Sequence, residues 1–156
     1  MEVFRISDAR HSKKLNASGK AARWNKDHQF VLYTGNTRSL SALESVVHFN
    51  GVVPKHSYKT MVIVLADDEK LYTKKQVKDL PANWRTLNAY AALQDIGSEW
   101  YKSEQSLILM VPSVIIPQEF NCIINTRHPD FTAKNVLLLR TEDFIWDERL
   151  GAGVKN

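Results

Sequence analysis

No apolar run in this chain is longer than a β-strand needs. The longest are Met61-Val62-Ile63-Val64-Leu65-Ala66 and Leu107-Ile108-Leu109-Met110-Val111. Each is strand-sized, and neither approaches the roughly 20 residues with which a helix crosses a bilayer. Further strands are expected at 30–34, 122–124 and 136–139, beside those at 60–66 and 107–111. Between them lie two segments of helical period. One covers 37–49, with Leu40, Leu43 and Val47 on one stripe and Asn50-Gly51 at its end; the other covers 87–100, with Ala91, Leu93 and Ile96. Several connections are too short for a parallel crossover, so the pattern predicts an α+β fold with a mixed, largely antiparallel sheet.

The chain has 156 residues, 44% of them apolar and 24% charged, a mix that can bury a core and does not read as disordered. It carries no repeat and no Pro/Gly/Ser linker, so one domain over 1–156 is expected. The start, Met1-Glu2-Val3-Phe4-Arg5, lacks a secretory pattern, and the lone Cys122 sits among apolar neighbours, which fits a reducing cytoplasm. The net charge of +4 is scattered over sites such as Lys13-Lys14, Lys74-Lys75 and Arg85. No basic run interleaved with aromatics suggests a nucleic-acid groove, so direct nucleic-acid binding and membrane association are not expected.

Residues 7–28 are polar and read as a long loop, which in a compact domain is usually functional or mobile. The loop contains Arg23, flanked by Ala22 and Trp24, whose guanidinium could grip a pyrophosphate or stay solvated. Tyr33 ends the following strand and should face a rim. Glu44 is the most informative residue: the inward stripe Leu40, Leu43, Glu44, Val47, His48 puts a carboxylate where an apolar side chain belongs. The bland explanation is a capping box, because Ser41-Ala42-Leu43-Glu44 matches S-x-x-E. His48 lies four residues on, in reach of Glu44. Ser113 follows Val111-Pro112 and either enters a cleft or caps a turn; no G-x-S-x-G surrounds it. The five histidines lack zinc-site spacing, so no metal is expected, and Gly151-Ala152-Gly153 leaves no room for a dinucleotide-binding helix.

Taken in order, Phe4-Arg5-Ile6, Arg23-Trp24-Asn25, Val31-Leu32-Tyr33-Thr34, Ser41-Ala42-Leu43-Glu44 with His48, Leu80-Pro81 with Trp84-Arg85, Gly97 with Trp100, Val111-Pro112-Ser113, Asn121, Asn125 with His128-Pro129, and Asp147-Glu148-Arg149-Leu150 resemble the RES domain, a family named for its arginine, glutamate and serine. Two departures stand out: Ala21-Ala22 replaces a common Gly-Gly pair before the arginine, and Thr34-Gly35 stands where a serine often follows the tyrosine.

The resemblance implies an ADP-ribosyltransferase-like fold and a toxin of a toxin–antitoxin pair that consumes NAD⁺, cleaving the nicotinamide–ribose bond as a glycohydrolase or phosphorylase. Glu44, Arg23 and Tyr33 would be catalytic; Arg23, Tyr33, Ser113, His48 and Asn125 would contact NAD⁺. An Xre-type helix-turn-helix antitoxin is the implied partner, and a homodimer is compatible with it. The alternatives are an ADP-ribosyltransferase modifying a protein, a non-enzymatic module holding a nucleotide or partner in the same cleft, and an RNA-directed toxin, for which no His/Arg/Lys cluster speaks.

Overall fold

The computed structural model describes residues 1–50, 52 and 56–151. In chain order the elements are β1 (Glu2–Asp8), β2 (Val31–Gly35), α1 (Arg38–His48), β3 (Tyr58–Leu65), β4 (Tyr72–Lys74), α2 (Tyr90–Ser103), β5 (Ile108–Pro112), β6 (Phe120–Asn125) and β7 (Val136–Phe144), with single 3-10 turns between some of them. The strands form one sheet in the order β4-β5-β6-β2-β1-β3-β7. Only β4 and β5 run parallel; the other pairs are antiparallel. The α+β class and the mixed, largely antiparallel sheet are as the pattern predicts.

Strands β1 and β4 were not expected. The turn before α2, Leu87–Ala89, is 3-10 rather than α-helical, so that helix starts later and ends later than its apolar period suggests. The expected helix stop at Gly51, residues 152–156 of the expected domain and the Ala152-Gly153 part of the glycine-rich end lie outside the described residues. No helix among the described residues is long and apolar enough to cross a membrane.

Both faces of the sheet are covered. Leu32, Ile63, Leu65, Cys122 and Ile124 belong to one buried cluster, whereas Val31, Leu109, Val111 and Ile123 join Trp24, Trp84, Leu93 and Trp100 in the other. The alternation along β2 thus sends Leu32 to one face and Val31 and Tyr33 to the other. At 25 cal/mol per Å² or so, such two-sided burial is the main force holding the central strands in place.

Two features position the site. The first is where β1 and β2 part: Phe4 opposite Gly35 is their one registered pair. Helix α1 is seated on that junction, because Ser41 Oγ donates to Phe4 O at 2.7 Å and accepts from Gly35 N at 3.2 Å. A side chain at Gly35 would meet Ser41 Oγ at 2.6 Å, so only glycine permits this approach. The second is the loop before β2, which is tied to α2. Gln94 Nε2 donates to Ala22 O at 2.9 Å and Asn25 O at 3.2 Å, and Gln29 Nε2 donates to Ser98 Oγ at 2.7 Å. A Cβ on Gly97 would fall 1.8 Å from Trp24 O, so the helix backbone lies directly against the loop.

Candidate active site

A cleft of about 570 Å³ opens where β1 leaves β2, roofed by α1 and by the loop that carries Arg23. That volume lies within the range of small-molecule sites, about 300–1,000 Å³. Its lining brings together Arg23, Tyr33, Glu44 and His48. Ser113 stands just behind Glu44, and Asn125 lies elsewhere.

Glu44 is not a helix cap. Thr37 is the N-cap, its side chain accepting from Leu40 N at 3.0 Å, and Glu44 comes nearly two turns later. The capping-box alternative fails because Ser41 is already inside the helix and its hydroxyl is spent on Phe4 and Gly35. The expected stripe also needs correction at its far end, since Val47 is 54% exposed while Leu40 is fully buried. The carboxylate points across the cleft to the sheet. Its Oε1 accepts from Ser113 Oγ at 2.8 Å and from Asn121 Nδ2 at 2.7 Å. Its Oε2 accepts no hydrogen bond among the described residues.

Ser113 is fully buried just beyond β5. Its Oγ accepts from Ile115 N and Ile116 N, both at 3.1 Å, in the turn that follows. Of the two expected roles the structure shows the turn: the hydroxyl closes it, Ser113 does not line the cleft, and its one proton is directed at Glu44. With both lone pairs occupied and its proton donated, this oxygen is not free to act as a nucleophile.

Tyr33 lines the cleft with its ring while its hydroxyl faces the loop, accepting from Trp24 N at 3.0 Å and donating to Asn25 Oδ1 at 2.8 Å. Burial raises its pKa strongly, so the phenol stays protonated and keeps both bonds. Asn25 completes the anchor by donating to Lys20 O at 2.9 Å and Lys26 O at 3.0 Å. Arg23, next to Trp24, lies over the Tyr90 ring at 5.1 Å, with a long contact of 3.5 Å from Nη1 to Trp84 O. It is only partly buried, and most of its guanidinium donors remain for a ligand.

His48 is exposed at the rim, its ring edge-on to Phe49 with centroids 5.4 Å apart; among the described residues it makes no hydrogen bond to Glu44. Asn125 does not line the cleft. It is buried at the opposite end of β6 from Asn121, where Nδ2 donates to Tyr101 O at 3.3 Å and Oδ1 accepts from Arg127 N at 2.9 Å. Two side chains in the cleft escaped the expected set. Asn121 sits on the same strand face as Asn125, and only the strand pairing shows which end reaches the cleft. Arg5 projects from β1 into the gap, donating from Nη1 to Tyr33 O at 3.2 Å, and burial lowers its pKa. A lone arginine inside an otherwise apolar triplet, Phe4-Arg5-Ile6, was the available signal. Among the described residues no group of three His, Cys, Asp or Glu side chains converges on a metal-sized point.

Comparison with known proteins gives the family of the chain. The RES domain model matches residues 2–147. A Sphingobium sp. (strain YBL2) protein named Prs ADP-ribosylating toxin is 34% identical over 152 residues, 92% of each chain. A protein named Toxin Res from Yersinia enterocolitica is 37% identical over 109 residues, 70% of each chain. Among solved structures, the M. tuberculosis MbcT-MbcA toxin-antitoxin complex matches with a TM-score of 0.68 at 14% identity, over 92% of this chain and 83% of that one, a likeness of fold. By its sequence, this chain belongs to the RES-domain family, and the curated relatives it resembles are toxins.

Proposed function

We propose that this chain is the toxin of a toxin–antitoxin pair and that it consumes NAD⁺ by breaking the bond between nicotinamide and its ribose. The observation that carries the reading is the Glu44 carboxylate, fixed through Oε1 by Ser113 and Asn121 with Oε2 left without a protein donor among the described residues, in a cleft whose lining also holds Arg23, Arg5 and Lys20. A dinucleotide supplies the complementary parts: a pyrophosphate for the guanidinium of Arg23 and a ribose for the carboxylate.

Nicotinamide departs with the electron pair of the C–N bond and is neutral once released, so its departure requires no proton donor. The positive charge that it carried develops on the ribose as an oxocarbenium-like centre. An oriented carboxylate stabilises that charge more in the transition state than in the ground state, which is the requirement for faster turnover. In this reading Oε2 of Glu44 faces the ribose, Tyr33 packs its ring against the nicotinamide-side moiety and holds the loop that presents Arg23, and His48 lies at the rim. Ser113 acts through Glu44 rather than by touching the ribose. Asn125 is too deeply committed to Tyr101 and Arg127 to take the ligand contact expected of it.

Water or inorganic phosphate as acceptor makes the chain a glycohydrolase or phosphorylase. A second reading, ADP-ribosyl transfer to a protein, is favoured by the name of the Sphingobium relative. Product analysis distinguishes them: with purified chain and NAD⁺, free ADP-ribose marks water, a phosphorylated ADP-ribose formed only when phosphate is added marks phosphorolysis, and label fixed on protein marks transfer. Intact NAD⁺ under all three conditions rejects the reading. The partner is proposed to be an antitoxin of Xre type with a helix-turn-helix domain; that the structural neighbour is a toxin-antitoxin complex supports an antitoxin. The proposed compartment is the cytoplasm, and a homodimer is the proposed assembly for test.

A further inference from the structure

We propose that Asn121 is a positioning residue that sets the orientation of the Glu44 carboxylate, and so determines which oxygen meets the substrate; this rests on the NAD⁺-cleaving reading above. A glutamate nearly two turns into a helix has three rotatable bonds, and holding such a side chain still costs rotamer entropy. One hydrogen bond fixes the distance of an oxygen but leaves the carboxylate free to swing about it. Two donors arriving from different strands remove that freedom. Ser113 approaches from the end of β5 and Asn121 from β6, and both reach the same Oε1, at 2.8 and 2.7 Å.

The two donors differ in kind. The Ser113 hydroxyl can rotate, although its two backbone donors restrain it. Asn121 stands on a strand paired on both sides, opposite Gly35 of β2 and Val111 of β5. Its amide therefore comes from a strand held by neighbours on both edges. Nδ2 can only donate, so it is suited to a carboxylate oxygen and to no competing arrangement of the same group. Its placement in the cleft lining, unlike that of Ser113, keeps it beside the reacting end of Glu44. With Oε1 saturated, Oε2 is the oxygen left to face the ribose.

The test uses the full chain freed of antitoxin, with steady-state NAD⁺ kinetics and a crystal structure of each variant. Asn121→Ala should lower kcat about tenfold, the loss expected for one charge-assisted hydrogen bond, with KM within about twofold of wild type. Its structure should show the Glu44 carboxylate turned or spread over several positions. Asn121→Asp is nearly isosteric and places an acceptor where the donor was. Its turnover should fall further at pH 8 and recover in part toward pH 5, as the new carboxyl gains a proton and donates again. A purely structural role would not reverse with pH. An unchanged kcat with a raised KM, or a Glu44 carboxylate that stays in place in Asn121→Ala, overturns the proposal. If wild-type protein leaves NAD⁺ intact, the reaction above fails, and the Glu44 position in Asn121→Ala still decides the positioning role.

Discussion

Ser113→Ala is a demanding test of how the site is built. The substitution removes one oxygen that makes three hydrogen bonds at once: to Glu44 Oε1 at 2.8 Å, and from Ile115 N and Ile116 N at 3.1 Å each. The residue is fully buried, so water does not readily replace what is lost. Each neutral bond contributes roughly 1 kcal/mol net, and one to a charged group roughly 2, so the variant should lose up to about 4 kcal/mol, and about 3 kcal/mol once the turn relaxes. For a domain of this size, 3 kcal/mol lowers the melting temperature by about 6–12 °C. In the proposed mechanism the serine acts on NAD⁺ only through Glu44, so turnover should fall about tenfold or more while KM stays near wild type. Urea denaturation gives the first number and nicotinamide release under saturating NAD⁺ gives the second. A variant of full stability would refute the bonding argument. A KM raised severalfold at unchanged kcat would show that Ser113 contacts the substrate directly.

Four further outcomes follow from named contacts. Arg23→Ala should weaken NAD⁺ binding at least tenfold with little change in stability, since its guanidinium has few protein bonds; an unchanged dissociation constant from calorimetry counts against a phosphate role. Tyr33→Phe should release the loop rather than abolish chemistry, costing about 1–2 kcal/mol and speeding amide exchange at Trp24, whose N–H loses its acceptor. Gly97→Ala should cost about 2–3 kcal/mol, because its methyl would collide with Trp24 O; a neutral melting temperature would mean that α2 does not lie against the loop. Burial pushes the Cys122 thiol up to about 12 from 9.0, so the folded state keeps the proton that the unfolded chain gives up. That contribution is present in full below about pH 9 and is lost as pH rises toward 12, and Cys122→Ala should flatten this part of the stability profile.

How much of this was legible depended on whether a residue's role is local. The helix over Glu44 and the strand carrying Tyr33, which runs on to Gly35, were readable because their periods are carried by consecutive residues. β1 was missed because Glu2-Val3-Phe4-Arg5-Ile6-Ser7-Asp8 mixes apolar and charged side chains without clean alternation, and its charge at Arg5 belongs to the cleft. β4 has three residues, too few for any period to show. Glu44 stood out as a carboxylate in an apolar stripe, yet its partners lie 69 and 77 residues away and only the sheet brings them together. The same limit explains Asn125. Two asparagines four residues apart on one strand look equivalent in sequence, and the pairing of Gly35 with Asn121 and of Val31 with Asn125 decides which end of the strand is the cleft. The stripe failed at Val47 because α1 is seated by Ser41, so the helix is rotated to bury a small polar residue beside Leu40 and to turn Val47 outward.

In the proposed reaction the carboxylate of Glu44 drives loss of nicotinamide from NAD⁺. The direct measurement compares wild type with Glu44→Gln, an isosteric change that keeps the fold and removes the charge, by following free nicotinamide from NAD⁺ over time. Wild type should release nicotinamide steadily and the variant at least a hundredfold more slowly, with NAD⁺ still bound. Equal release by the two proteins, or none by wild type, would contradict it.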